Sequence, residues 1–203
     1  MNKNDALAIL FESAKLYEQN LANKNLLVVY RDGTNAVSRI EVLFLKKHFL
    51  HLSGVKIDRD SISSTKFFSL CKNKRLRIQD FDFAPNGTTV QKLCVLQQLM
   101  SIYSNASMIG VFDGNRLHLQ TKYLVGSVHA CMGFIIDGET GYYIPNTALQ
   151  ADIRDLCREK PHRILAILSK NTKENKYSTV CKRAACFRLD ELEADDVGCF
   201  DEK

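Results

Sequence analysis

Nowhere in this 203-residue chain does an apolar run approach the ~18 residues that a membrane-spanning helix needs. No two of its seven cysteines (Cys71, Cys94, Cys131, Cys157, Cys181, Cys186 and Cys199) stand as C-x-x-C, and they are odd in number and widely spread. That pattern argues against a disulfide scaffold and against the usual zinc spacings. It fits thiols packed as small hydrophobes in a reducing cytosol. The chain has no G-x-x-x-x-G-K-S/T phosphate loop, no dinucleotide fingerprint and no G-x-S-x-G elbow. His118, His129 and His162 are isolated, and no carboxylates share a ligand spacing. The expected chemistry therefore uses neither a metal nor an organic cofactor. The first twenty residues place charges inside their apolar stretch and offer no small-residue cleavage site. A signal peptide is not expected, and a cytoplasmic location is. Internal repeats and low-complexity segments are also missing.

What is present suits one globular domain with a modest appendage: 45% hydrophobic and 25% charged residues. The net charge of +5 is unevenly spread. The last sixteen residues hold seven acids against Arg188 and Lys203. The remaining body keeps 26 basic and 16 acidic residues, about +10. Such a body attracts polyanions, RNA or DNA, although many ordinary domains are as basic. The expected organisation is an N-terminal helix and β-hairpin over residues 1–48, a main domain over 49–187 and a mobile acidic tail over 188–203.

Along the chain, Ala6, Ile9, Leu10, Leu16 and Tyr17 recur at helical spacing, and two strands follow around an Asp32-Gly33 turn. "HFLHL" reads as a short third strand ending at Gly54. "DSISSTKFFSLCKNKRLR" reads as a helix, with Ser or Thr available as its N-cap. The clearest helix lies in "PNGTTVQKLCVLQQLMSIYSN", with Thr88 or Thr89 available as its cap and Val90, Leu93, Leu96, Met100 and Tyr103 along one face. Short strands with turns at Asp113-Gly114 and Asp137-Gly138 come next, then a short helix near "ALQADIRDLCREK" and the apolar strand "HRILAILSK". The sum is an α+β fold: helices preceding, and packed on one face of, a mainly antiparallel sheet.

Three stretches draw the eye for chemistry. On a strand His48 and His51 would point to opposite faces, so they do not form a two-histidine metal site. His51 would then sit just before a Gly54 turn, where an imidazole is either a structural group or a proton carrier near neutral pH. In "YYIPNT", Pro145 cannot donate to a ladder, so the strand ends or lies at an edge there. Asn146 and Thr147 cap the next helix on the simplest reading, while Tyr142 and Tyr143 offer rings for stacking on bases. Lys170 closes the last apolar strand, followed by the polar stretch that contains Lys173, Lys176 and Tyr177.

Taken in order, "FLHLSGV", "FF", "FDFAPNGTT", "KLCVLQQLM", "IGVF", "GSVHACMGF", "YYIPNT" and "RILAI" followed by a tyrosine resemble a known family. It is the phage-associated domains grouped with barnase, EndoU, colicin and RelE-type nucleases, the BECR superfamily. The likeness runs from about Phe49 to Tyr177. The family usually reads "HLTG" where this chain has Ser53, a change that keeps the hydroxyl.

The resemblance implies an α+β nuclease fold and a metal-independent endoribonuclease of phage or mobile-element type. In such enzymes the ribose 2′-OH attacks the neighbouring phosphorus to give a 2′,3′-cyclic phosphate. His51 is then the expected acid or base, Lys170 the phosphate cation, Tyr177 a proton donor or stacking surface, and Thr147 a phosphate hydrogen-bond donor. Lys66, Tyr142, Tyr143, Asn146 and Arg163 are the expected substrate-binding residues. The implied partners are RNA (tRNA or another structured RNA) and a cognate immunity or inhibitor protein. A non-catalytic RNA- or protein-binding module on the same fold is the competing hypothesis.

Overall fold

Asn2 starts the first helix by a reciprocal cap. Its side chain accepts from the Asp5 N–H at 2.9 Å, and its own N–H donates to the Asp5 carboxylate at 3.0 Å. In α1 (Lys3–Asn20) the residues Ala6, Leu10, Ala14 and Tyr17 are buried on one stripe. The computed structural model describes residues 1–114 and 119–192.

β1 (Lys24–Arg31) is buried on both faces, which the near-continuous "NLLVVY" requires. Leu26, Val28 and Tyr30 share the main core with the helices, while Leu27 and Val29 join a second core with Leu165, Leu168, Tyr177 and Phe187. A turn at Asp32–Ala36 leads into β2 (Val37–Phe44), antiparallel to β1. Two helices follow α2 (Phe49–Ser53): α3 (Ser64–Lys72) and α4 (Thr88–Leu99), both packed against α1. After a turn of helix, α5 (Ile102–Asn105), come β3 (Met108–Val111), β4 (Tyr123–Gly126), β5 (Cys131–Ile136) and β6 (Tyr143–Leu149). The short α6 (Ile153–Leu156), β7 (His162–Asn171) and β8 (Thr179–Arg183) complete the fold.

The α+β class holds, but the sheet is not the open one expected. Its order is β1-β2-β6-β5-β4-β3-β7-β8, and β1 also pairs with β7, closing a seven-stranded barrel with β8 appended. Every pairing is antiparallel except β2 with β6, a single parallel step at Val42 and Tyr143. Register shifts at Val29/Tyr30 and Gly133/Phe134 supply bends that closure needs, and a third, at Ile167/Leu168, lies where β8 joins β7. The alternation in the sequence gives strands and faces but carries no mark of closure.

Three local readings are corrected. "HFLHL" is not a strand: Lys46–His48 form a 3-10 turn and Phe49–Ser53 an α-helical one, ended by Gly54 at φ +68°. A run this short is ambiguous between strand and helix, and packing decides it. The Phe49 ring sits 5.4 Å from Tyr17 and 5.5 Å from Phe68, wedged between α1 and α3. Asn146 and Thr147 do not cap a helix. β6 runs through a buried Pro145, whose missing N–H is tolerated beside the Gly133/Phe134 bulge, and α6 is capped by Asp152 instead. Neither Thr88 nor Thr89 caps α4, because Gly87 at φ +76° occupies that position.

The N-terminal helix and hairpin are built into the barrel through β1. Of the acidic tail, Leu189–Glu191 form a 3-10 turn, Leu192 is buried and Arg31 pairs with Glu191 at 3.3 Å. Residues 193–203, with Cys199, lie outside the described residues, as does His118. The other six cysteines are free thiols. Among the described residues no helix is long and apolar enough to cross a membrane, and no group of three or more His, Cys, Asp or Glu side chains is gathered for a metal ion.

A basic cleft at the end of α2

The left-handed Gly54 ends α2 and turns the chain toward α4, and the "HLSG" and "PNGTT" stretches meet there. The Ser53 hydroxyl donates to the Leu50 carbonyl at 2.8 Å, closing the short helix from within. The buried Thr89 hydroxyl donates to the Gly54 carbonyl at 2.6 Å and accepts from the Ala84 N–H at 2.8 Å. One side chain thus ties the end of α2 to the start of α4. Asn86 accepts from the Thr88 N–H at 3.2 Å and from its hydroxyl at 2.8 Å, fixing the loop before α4.

Between these elements lies a cleft of about 640 Å³ walled by His51, Lys56, Arg59, Asn86, Thr88 and Lys92, with apolar residues beneath. Among the described residues no carboxylate lines it, so three cations face one imidazole without a neutralising partner. The His51 side chain is exposed at its rim. Partial burial lowers the His51 pKa, and Arg59 and Lys92 lower it further, so the ring is neutral at pH 7. The Lys92 ammonium donates to the His51 carbonyl at 2.9 Å. Burial first, and then Lys56, pull its pKa down to about 8. A neutral imidazole beside a cation whose pKa is about 8 is an arrangement suited to proton transfer.

A second, more apolar cleft of about 390 Å³ adjoins the first, sharing Thr88 and Lys92 as walls. Thr147 lines it from β6. Opposite stands Gly133, where an added Cβ would come within 2.7 Å of the Thr147 methyl. His51 and Thr147, nearly a hundred residues apart in sequence, therefore stand on adjoining clefts.

The other expected residues are elsewhere. Lys170 and Tyr177 wall neither cleft. The Tyr177 ring is buried under the Lys170 ammonium, 4.4 Å from its centroid, and its hydroxyl donates to Glu41 at 3.0 Å. Lys66 lies exposed on α3, bonded to the Ser61 carbonyl at 3.0 Å, along a separate basic groove with Lys74, Arg75 and Arg77. Asn146 positions the segment before β4, donating to the Gln120 carbonyl at 2.5 Å and accepting from the Thr121 hydroxyl at 3.2 Å.

Tyr143 stands four residues from Thr147, about 13 Å along the strand. There its ring meets Tyr123 at 5.1 Å, with the Lys122 ammonium over both. Tyr142 ends the turn before β6, half-buried. Arg163 is exposed on β7, close enough to Lys182 to lower its pKa behind the larger effect of burial.

Sequence reasoning missed Lys92, Lys56 and Arg59. Lys92 sits in an ordinary amphipathic pattern, and only the Gly54 turn, 38 residues away, brings His51 to it; no sequence spacing signals that.

Comparison with known proteins agrees with the motif reading. A family described as phage-Barnase-EndoU-ColicinE5/D-RelE like nuclease4 matches residues 9–185, taking in most of α1 and the whole hairpin. Neither the curated proteins nor the solved structures yield a match.

Proposed function

Because this chain belongs to the phage-Barnase-EndoU-ColicinE5/D-RelE like nuclease family, we propose that it is a metal-independent endoribonuclease acting at the cleft between α2 and α4. The observation that carries this reading is the convergence of a neutral imidazole, His51, with Lys56, Arg59 and Lys92 on one acid-free cleft. Membership of the family supports nuclease activity; the choice of RNA and the roles below are our reading.

In this reading His51 takes the proton of the ribose 2′-OH, and the 2′-oxygen attacks the adjacent phosphorus. The bond from phosphorus to the 5′-oxygen breaks, leaving a 2′,3′-cyclic phosphate on one product. Lys92, still largely protonated at pH 7, gives its proton to the departing 5′-oxygen. Lys56 and Arg59 hold the negative charge that builds on the phosphate. The Thr147 hydroxyl, which has no protein partner among the described residues, supplies a further hydrogen bond from the adjoining cleft. Lys170 and Tyr177 are assigned instead to holding β7, β2 and the segment before β8 together. A phage or mobile-element origin, a cytoplasmic site of action and a cognate inhibitor belong to the same proposal.

The test is incubation of the pure protein with total RNA in EDTA, with product ends identified. Cyclic-phosphate ends that disappear in His51→Ala, at unchanged circular dichroism, support the assignment. Tight RNA binding without cleavage identifies a non-catalytic binding module and overturns it. General acid–base catalysis contributes about 10²–10⁴-fold, so the loss in His51→Ala is measurable.

A further inference from the structure

The 390 Å³ cleft beside the basic one is of a different kind. Leu119, Ala148, Leu149, Ala151 and Leu156 give it apolar walls, and its volume falls in the range of about 300–1,000 Å³ typical of small-ligand sites. Two carboxamides line it from different elements: Gln91 from α4 and Gln150 from just after β6. Both are exposed, and neither side chain has a hydrogen-bond partner among the described residues. Thr88, Gln91 and Lys92 are spaced i, i+3 and i+4, so they share one face of α4. That face carries a cation toward one cleft and an amide toward the other.

We propose that this cleft binds the nucleobase next to the scissile phosphate, with Gln91 and Gln150 reading its hydrogen-bonding edge. The proposal rests on the ribonuclease reading for its substrate but not for its geometry. A base needs apolar walls for its faces and a few polar groups at its rim, and the cleft offers both. Unstacked bases of single-stranded RNA are recognised in this way, by face contacts and by hydrogen bonds along their edges. A carboxamide places a donor beside an acceptor, and that pair matches adenine's amino group and ring nitrogen. The shared wall at Lys92 sets the attached phosphate in the basic cleft when the base is seated.

Binding separates this proposal from cleavage. Calorimetric titration of the full chain with the four ribonucleoside 3′-monophosphates, and with ribose 5-phosphate as a base-free probe, reads it directly. Adenosine 3′-monophosphate is expected to bind tightest. Gln91→Leu and Gln150→Leu are each expected to reduce its advantage over the other bases by roughly tenfold, within the range of a lost bidentate contact. Ribose 5-phosphate should bind both variants as it binds the wild type, because it never reaches the amides. Equal binding of all four nucleotides by the wild type, or an unchanged preference in both glutamine variants, overturns the proposal. Cleavage in EDTA without base preference would sink the pocket and leave the ribonuclease. Base preference without cleavage would do the reverse.

Discussion

The Lys92 ammonium is fastened to the backbone of the residue it serves, donating to the His51 carbonyl at 2.9 Å across the end of α2. That crossing exists because position 54 has no side chain. Gly54 adopts φ +68°, and a Cβ there would lie 2.6 Å from the Lys92 Cδ.

Gly54→Ala should therefore act twice. The left-handed backbone costs a non-glycine residue roughly 1–2 kcal/mol, and the methyl pushes the Lys92 chain off the helix end. The expected result is a lower melting temperature together with a fall in RNA cleavage. Lys92→Ala should reproduce the loss of cleavage with less effect on folding. A Gly54→Ala protein that cleaves RNA at the wild-type rate would show that Lys92 need not lie where it does.

The cleft also predicts a pH profile. kcat/KM should rise with pH as the His51 imidazolium deprotonates, below the ordinary histidine range because burial, Arg59 and Lys92 disfavour its charge. It should fall again as pH climbs through about 8, where Lys92 loses its proton. Guanidinium keeps its charge but does not give up its proton, so Lys92→Arg should lose cleavage although the cation is retained. Lys56→Ala removes a like charge and should move the alkaline limb to higher pH. A profile that stays flat from pH 7 to 10 in the wild type would exclude Lys92 from the chemistry.

What the sequence made legible was local. The stripe of α4, the doubly buried β1, the Asp32-Gly33 turn and the apolar β7 all follow from spacing. His51, Gly54 and Thr147 could be singled out because they stand in short motifs. Barrel closure was not legible, since it depends on bulges and on the β1–β7 pairing, a contact between positions 24–30 and 164–171. "HFLHL" was misread because five residues cannot show a helical period, and the aromatic wedge around Phe49 forms only in the folded chain. Lys92 was invisible for a related reason: its chemistry comes from burial and from Lys56, not from its neighbours in sequence.

Lys170 and Tyr177 provide a contrast between holding and reacting. Tyr177→Phe removes the hydrogen bond to Glu41 and should cost roughly 1–2 kcal/mol, a few degrees in melting temperature. Lys170→Ala removes a cation over that ring, worth about 0.5–1 kcal/mol at an exposed site. Both should leave the cleavage rate close to wild type. A fall of about a hundredfold, the size of an acid–base contribution, in a folded Lys170→Ala protein would place this cluster in the active site.

His48 sits three residues before His51 and behaves as its opposite. It is 3% exposed, its Nδ1 accepts from the Leu45 N–H at 3.1 Å, and its Nε2 has no hydrogen-bond partner among the described residues. Burial, helped by Lys47 and His51, pushes its pKa from 6.5 down to about 4, with Asp137 opposing. In the unfolded chain the same ring binds a proton near pH 6.5, so the unfolded state takes up more protons between those values. The neutral ring's contribution is thus fully present above about pH 6.5, shrinks as pH falls and levels off below about 4. It amounts to roughly 3 kcal/mol over that window. His48→Asn keeps an acceptor for Leu45 and removes the titration. His51 is also depressed and adds a slope of the same sign, but it is present in both proteins. Melting the two proteins from pH 7 to 4 should show a shallower loss for His48→Asn, with cleavage at pH 7 retained. Parallel slopes would mean that His48 is protonated in the fold as easily as in the open chain, and that its burial does not set its charge.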